Sequence, residues 1–166
     1  MVSNKRDAFA LTRARNAGIE TAVCLRGKGV SREAFEEELA AVLAAHAIDM
    51  LVLAGFMAIL TAGFVARYPE RIINVHPSLI PSFCGEGFYG LRVHEAALEY
   101  GVKVTGATVH YVNEIPDGGR IIAQKAVEIE PGDTPEALQR RVMEQAEWIL
   151  LPRAAEAVAR RIRMEA

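Results

Sequence analysis

The sequence predicts an α/β fold: an open, mostly parallel sheet that ends in an antiparallel hairpin. Three observations carry this. Helical and strand patterns alternate along the chain, Asp49-Met-Leu-Val-Leu-Ala54 is an almost wholly apolar run, and two β-rich segments flank Pro116-Asp117-Gly118-Gly119. Alternation implies parallel strands joined by helical crossovers, and two strands around a tight turn imply antiparallel pairing.

The elements follow in order. Residues 6–17 read as a helix ending at Gly18, a residue suited to the left-handed position after a helix C-terminus. Ile19–Leu25 is a short strand rich in β-formers. Ser31 caps a helix running to about Ala47, with Glu33 near its positive end and Phe35, Leu39, Val42 and Leu43 on one face. The 49–54 run reads as a strand buried on both faces. A short helix from about Ala62 to Arg67 leads into the strand Arg71–His76, which Pro77 and Pro81 end. Residues 91–100 are helical, and Ala107–Val112 with Arg120–Val127 form the hairpin. Thr134-Pro135-Glu136 opens a long C-terminal helix with a cap, a proline at the first helical position and an acid in the first turn.

The chain has 166 residues, 19 Lys+Arg against 21 Asp+Glu, a net charge of −2, 51% hydrophobic and 24% charged residues. That is one domain, 1–166, with enough length for a core, and it excludes a disordered chain. The near-neutral balance supplies no field for nucleic acid or an anionic membrane. Cys24 and Cys84 lie too far apart for a Cys-x-x-Cys pair, so free thiols are expected and a structural metal is not. The start carries charges throughout, which argues against a signal peptide. The longest apolar stretch, Met50–Gly63, falls short of the roughly 20 residues of a membrane span. A cytoplasmic protein is expected.

In open α/β sheets ligands sit beyond the carboxyl ends of the parallel strands, which directs attention to Gly55-Phe56-Met57 and Asn74-Val75-His76. Residues two apart on a strand face one way, so Asn74 and His76 point to one side. Together they offer donors to a common atom, and a protonated His76 adds charge, as a developing oxyanion requires. The same pair would also serve simply to close off the strand end. Asp117, beside Gly118 and Gly119, is a carboxylate on bare backbone that leaves room for a substrate. Folded over His76, it would hold the imidazole charged and assist proton transfer through water. A β-turn aspartate bonding locally fits the same residues.

His110 reads equally well as a buried, satisfied histidine or a site residue, and His46 and His94 read as surface positions. Gly85, Gly87 and Gly90 with Phe88 and Tyr89 form a flexible loop that lacks the context of a nucleotide fingerprint. Glu147-Trp148 fits ordinary amphipathic packing, and the basic residues from Arg153 to Arg163 fit a solvated face.

Ser3-Asn4-Lys5, Leu53-Ala-Gly-Phe-Met57, Asn74-Val-His-Pro-Ser-Leu-Ile-Pro81, Gly106-Ala-Thr-Val-His-Tyr-Val112 and Asp117-Gly-Gly119 occur in this order. Together they resemble the phosphoribosylglycinamide formyltransferases, folate-dependent enzymes of purine biosynthesis, from Ser3 to about Pro152. The Pro-Ser after His76 favours this family over the formyltetrahydrofolate deformylases. The resemblance implies a Rossmann-like formyltransferase fold with helices on both faces of the sheet. It implies formyl transfer from 10-formyltetrahydrofolate, as cosubstrate, to the amine of glycinamide ribonucleotide, with no metal. By resemblance Asn74 and His76 stabilise the oxyanion, and Asp117 orients His76 and relays protons. Met57, Ile59, Leu60 and Val65, with the loop residues Asn113, Glu114, Ile115 and Pro116, match the folate pocket. Gly55, Phe56 and Pro77 match the substrate arm, and Glu147 matches an acid on the ribose.

Three departures stand out. Family members carry a strand, a Gly-x-Gly-Ser-Asn phosphate loop and a helix before Ser-Asn-Lys, roughly thirty residues in all, so an N-terminally shortened fold is expected here. Its missing strand should lie centrally, and its loss would leave unpaired edges, so the chain is expected to repack, to borrow a strand or surface from another subunit of a homo-oligomer, or to be a shortened gene product. Cys84–Gly90 replaces a shorter Pro-Gly turn, and Trp148 stands where a histidine often follows the acid. The alternatives to transfer are hydrolysis of the same folate and a folate-binding relative with impaired catalysis.

Overall fold

A computed structural model describes residues 1–27 and 29–165, and the chain forms two compact units, Met1–Ile48 and Asp49–Ala166. In the first unit β1 (Val2–Ser3) pairs in parallel with β2 (Ala22–Val23). Between them α1 (Phe9–Asn16) buries Leu11 and Ala14, and Gly18 takes the left-handed conformation at φ 69°. In α2 (Arg32–Ala45) the Ser31 hydroxyl accepts the Ala34 N–H, while Phe35, Leu39 and Leu43 are buried and Val42 is half-buried. The strand expected over 19–25 contracts to two residues, and β1 carries too little pattern to be read from sequence.

The second unit holds β3 (Leu51–Leu53), β4 (Ile72–His76), β5 (Val104–Tyr111) and β6 (Ile121–Glu128) in that spatial order. β3 and β4 are parallel, and β4–β5 and β5–β6 are antiparallel. A short helix, α3 (Ala62–Val65), starts at the Thr61 cap, and α4 (Leu91–Tyr100) ends at Gly101 in the left-handed region. Thr134 caps α5 (Pro135–Val142), and α6 (Trp148–Glu165) follows.

The two-residue period of the strands divides the sheet. Ile73 on β4 and Val109 on β5 pack with Ala154, Val158 and Ile162 of α6. Ala107 and Val127 pack with Leu138 and Val142 of α5 and with Ala146. Each fully buried aliphatic contributes roughly 1.5–3 kcal/mol, so this face holds the layers together. The alternate residues, Asn74 and His76 on β4 and Thr108 and His110 on β5, therefore turn to the other face. Antiparallel register sets Asn74 opposite His110 and His76 opposite Thr108.

The Pro77–Ser82 segment after β4 is tied to the hairpin through the Thr108 hydroxyl and through Gln124, whose Nε2–H also donates to the Ile80 carbonyl at 3.0 Å. Thr108 Oγ1 donates to the Ser78 carbonyl at 2.7 Å and accepts the Ile80 N–H at 3.1 Å and Gln124 Nε2–H at 3.0 Å. This saturated buried hydroxyl fixes the chain as it leaves the site.

Two expectations change. β3 is not buried on both faces: among the described residues it stands at the edge of its sheet and pairs with β4 alone, and Val52 is 45% exposed. The expected single C-terminal helix is broken by a π turn, Met143–Glu147, ahead of Pro152, whose missing N–H cannot continue a regular helix. Among the described residues no helix is long and apolar enough to cross a membrane.

Candidate active site

The end of β4 and the β5–β6 turn bring Asn74, His76 and Asp117 together, and β5 adds His110. The Asp117 backbone is left-handed at φ 55°, a conformation aspartate tolerates better than most side chains. A Cβ at Gly118 would come within 2.7 Å of the Ile115 side chain, and one at Gly119 would collide with the Tyr111 carbonyl. The expected reason for these glycines is thus corrected. They admit the turn's own close packing, whereas the expectation was an open approach for substrate.

One carboxylate faces two imidazoles. Asp117 Oδ2 lies 3.4 Å from His76 Nδ1 and accepts the Gly85 N–H at 2.8 Å. Asp117 Oδ1 lies 3.6 Å from His110 Nε2. Each ring spends its other nitrogen on a main-chain carbonyl, which can only accept: His76 Nε2 donates to Phe83 O and His110 Nδ1 to Tyr111 O, both at 2.8 Å. Asn74 Nδ2 is 3.4 Å from His110 Nε2. The three ionisable side chains are 5%, 3% and 13% exposed for His76, His110 and Asp117. Burial alone would raise the Asp117 carboxyl. The facing His110 ring, the Gly85 N–H and the His76 charge outweigh it and hold the group below its ordinary 3.8.

These groups form the floor of a cleft of about 400 Å³, a size suited to a small-molecule ligand. Asn74, His76 and Asp117 line it, as do Gly55, Phe56 and Pro77. Of the residues matched to folate, Met57, Ile59, Leu60, Asn113, Ile115 and Pro116 line it, whereas Val65 and Glu114 do not. Glu147 reaches it from the π turn, alongside Gln139 and Met143, and burial pushes its carboxyl upward. The rim is apolar and open, with Met57 64%, Ile59 43% and Ile115 59% exposed.

Of three further contributors, sequence reasoning left His110 open between a buried histidine and a site residue and did not find the other two. His110 joins the cluster because antiparallel pairing sets it opposite Asn74, a signal available once β5 is docked on β4. His94, expected at the surface, is fully buried on the inner face of α4 with Val93 and Ala97, and it lines the cleft. Among the described residues neither of its ring nitrogens has a hydrogen-bond partner, and burial, aided by the His76 charge, lowers it from 6.5 to about 4. The 83–90 loop contributes through backbone alone, the Phe83 carbonyl and the Gly85 N–H, which side-chain patterns do not announce. Among the described residues no group of three His, Cys, Asp or Glu side chains is placed to hold a metal ion.

Comparison with known proteins places this geometry. The chain is 40% identical over 146 residues to a chloroplastic phosphoribosylglycinamide formyltransferase of Arabidopsis thaliana, covering 87% of this chain and 50% of that protein. It is 43% identical over 143 residues to the phosphoribosylglycinamide formyltransferase of Escherichia coli, covering 86% of this chain and 65% of the relative. It therefore spans between half and two thirds of the length of these two relatives. The crystal structure of glycinamide ribonucleotide transformylase 1 from Symbiobacterium toebii superimposes with a TM-score of 0.84 at 41% identity, covering 93% of this chain and 70% of that one. The formyl transferase family model matches residues 1–154. The chain belongs to the formyl transferase family.

Proposed function

We propose that this chain transfers a formyl group from 10-formyltetrahydrofolate to the amine of glycinamide ribonucleotide. The observation that carries the reading is the convergence of Asn74, His76 and Asp117 on the buried floor of one cleft in a formyl transferase chain. The relatives named for this reaction support the choice of substrates.

In this reading the substrate amine attacks the formyl carbon and the carbonyl oxygen becomes an oxyanion. Asn74 supplies the directional hydrogen bond. His76 acts through the charge of its imidazolium, since its Nε2 already donates to Phe83. Asp117 Oδ2 faces its Nδ1 at 3.4 Å and orients the ring. The amine must lose a proton and the departing folate nitrogen must gain one. The His76–Asp117 pair can hold that proton in transit, with water bridging to the substrate. Met57, Ile59, Leu60, Asn113, Ile115 and Pro116 face the folate. Gly55, Phe56 and Pro77 face the substrate arm, and Glu147 the ribose.

The test follows deformylation of 10-formyl-5,8-dideazafolate spectrophotometrically, with and without glycinamide ribonucleotide. Deformylation that depends on the nucleotide is the expected result. Equal release without it would assign a hydrolase, and silence with retained folate binding would assign a binding protein; either overturns the proposal.

A further inference from the structure

We propose that the N-terminal turn of α4 is an oxyanion subsite of the cleft: the backbone after Gly90, the His94 ring and the Arg92 charge take a phosphate or carboxylate group of a bound ligand. This rests on the formyl-transfer reading for its two sources, the phosphate of glycinamide ribonucleotide and the carboxylates of the folate tail.

The first N–H groups of a helix have no partner within it. On α2, α3 and α5 a side chain takes one of them: Ser31, Thr61 and Thr134. The first turns of α2 and α5 also carry their own acids, Glu33 and Glu136. α4 has neither device. Gly90 stands at its N-cap without a side-chain cap, and no acid occupies the first turn. Tyr89 and Gly90 line the cleft, so the positive end of this helix opens on it. Gly90 has φ 55°, and a Cβ there would meet nothing within 4 Å, which leaves bare backbone open to approach.

An uncapped helix end is not by itself a site; His94 makes this one. It is the fourth residue of α4, and helical side chains lean back toward the N-terminus. Its ring is fully buried and lines the cleft, and among the described residues both nitrogens are without a hydrogen-bond partner. Leaving such a group unpaired is costly, and a ligand oxygen at the head of α4 satisfies its N–H. Burial holds the ring at about 4, so at neutral pH it offers one N–H and carries no charge. Charge comes from Arg92 in the same first turn, exposed and lying over the Tyr89 ring at 4.9 Å. Among the described residues no carboxylate pairs with Arg92, which leaves its donors available at the rim. The acids lining the cleft nearby in sequence or on α5's continuation are Glu86 and Glu147, and burial pushes Glu147 toward its neutral form.

The test reads binding without turnover. Inorganic phosphate and, separately, p-aminobenzoylglutamate are titrated into the nitrogen-15-labelled full chain at neutral pH and constant ionic strength. The reporters are the backbone amides of Gly90 to Val93 and the His94 ring, the latter assigned by its loss in His94→Phe. A saturable shift of both reporters is the expected result, and whichever anion binds more tightly identifies the source. Arg92→Met should weaken that anion by about threefold and His94→Phe by about tenfold, read on the amides. Arg92 is exposed, so its variant keeps the comparison even where His94→Phe does not fold. Reporters that move with neither anion, or that follow ionic strength alone, overturn the proposal. So does binding that both substitutions leave unchanged, which places the anion elsewhere. In turnover, the same substitutions should raise the KM of the substrate carrying that anion by similar factors, with kcat changed less. If wild-type protein does not use glycinamide ribonucleotide, the transfer reading fails, and the resonances still decide whether α4 holds an oxyanion.

Discussion

The floor and the rim of the cleft are built on opposite principles. On the floor, Asn74, His76, His110 and Asp117 come from paired strands and a tight turn, and their hydrogen-bonding atoms face one another or nearby backbone. On the rim, Met57, Ile59 and Ile115 stand in solvent. A buried polar group must be held by partners or it destabilises the fold. The floor is therefore organised before any ligand arrives, whereas the rim acquires apolar contact only when one binds. Chemistry and affinity should accordingly separate under mutation.

The largest effect should come from Asp117→Asn, which leaves the volume and removes the charge that His76 faces. Formyl transfer should fall by about a thousandfold in steady-state turnover. A rate near wild type would show that the floor's charge arrangement is not what drives the reaction.

Next is a stability effect set by His94. Its folded value is depressed from 6.5 to about 4, so the unfolded chain takes up the proton first as pH falls. The stability associated with a neutral His94 is full above about pH 6.5 and is lost between there and pH 4. The loss is about 3 kcal/mol. Urea melts of wild type and His94→Leu across that window should diverge in slope, with the variant less sensitive to acid. Parallel curves would mean that His94 is not held neutral in the cleft wall.

Asn74→Ala should lower kcat by about a hundredfold, the scale of one oxyanion donor, without a matching change in folate KM. The smallest effect belongs to the rim: Ile115→Ala should weaken folate-analogue binding by about tenfold while kcat at saturation stays close to wild type. Equal losses of kcat and affinity in both variants would dissolve the distinction between floor and rim.

Much of this was legible in the sequence, for identifiable reasons. Ser31 and Thr134 announce their helices because a cap is a local interaction, and both hydroxyls accept the third following N–H. Asn74 and His76 were readable as a pair because strand periodicity is also local. His110 stayed open between a buried histidine and a site residue, since its partnership with Asn74 needs the register of two strands 36 residues apart. His94 misled because a polar residue beside Glu95 resembles a solvent face, whereas tertiary packing buries it against the cleft. The 83–90 loop was opaque because it bonds through Phe83 O and Gly85 N–H. The π turn that carries Glu147 is a register adjustment ahead of Pro152, invisible to a helical period.

The separation of chemistry from binding is tested most directly by titrating Asp117→Asn with 10-formyl-5,8-dideazafolate by calorimetry, on the preparation whose turnover has been measured. A Kd within about threefold of wild type, alongside lost turnover, is the predicted result. Binding weakened in step with turnover would contradict it and make Asp117 part of the binding surface.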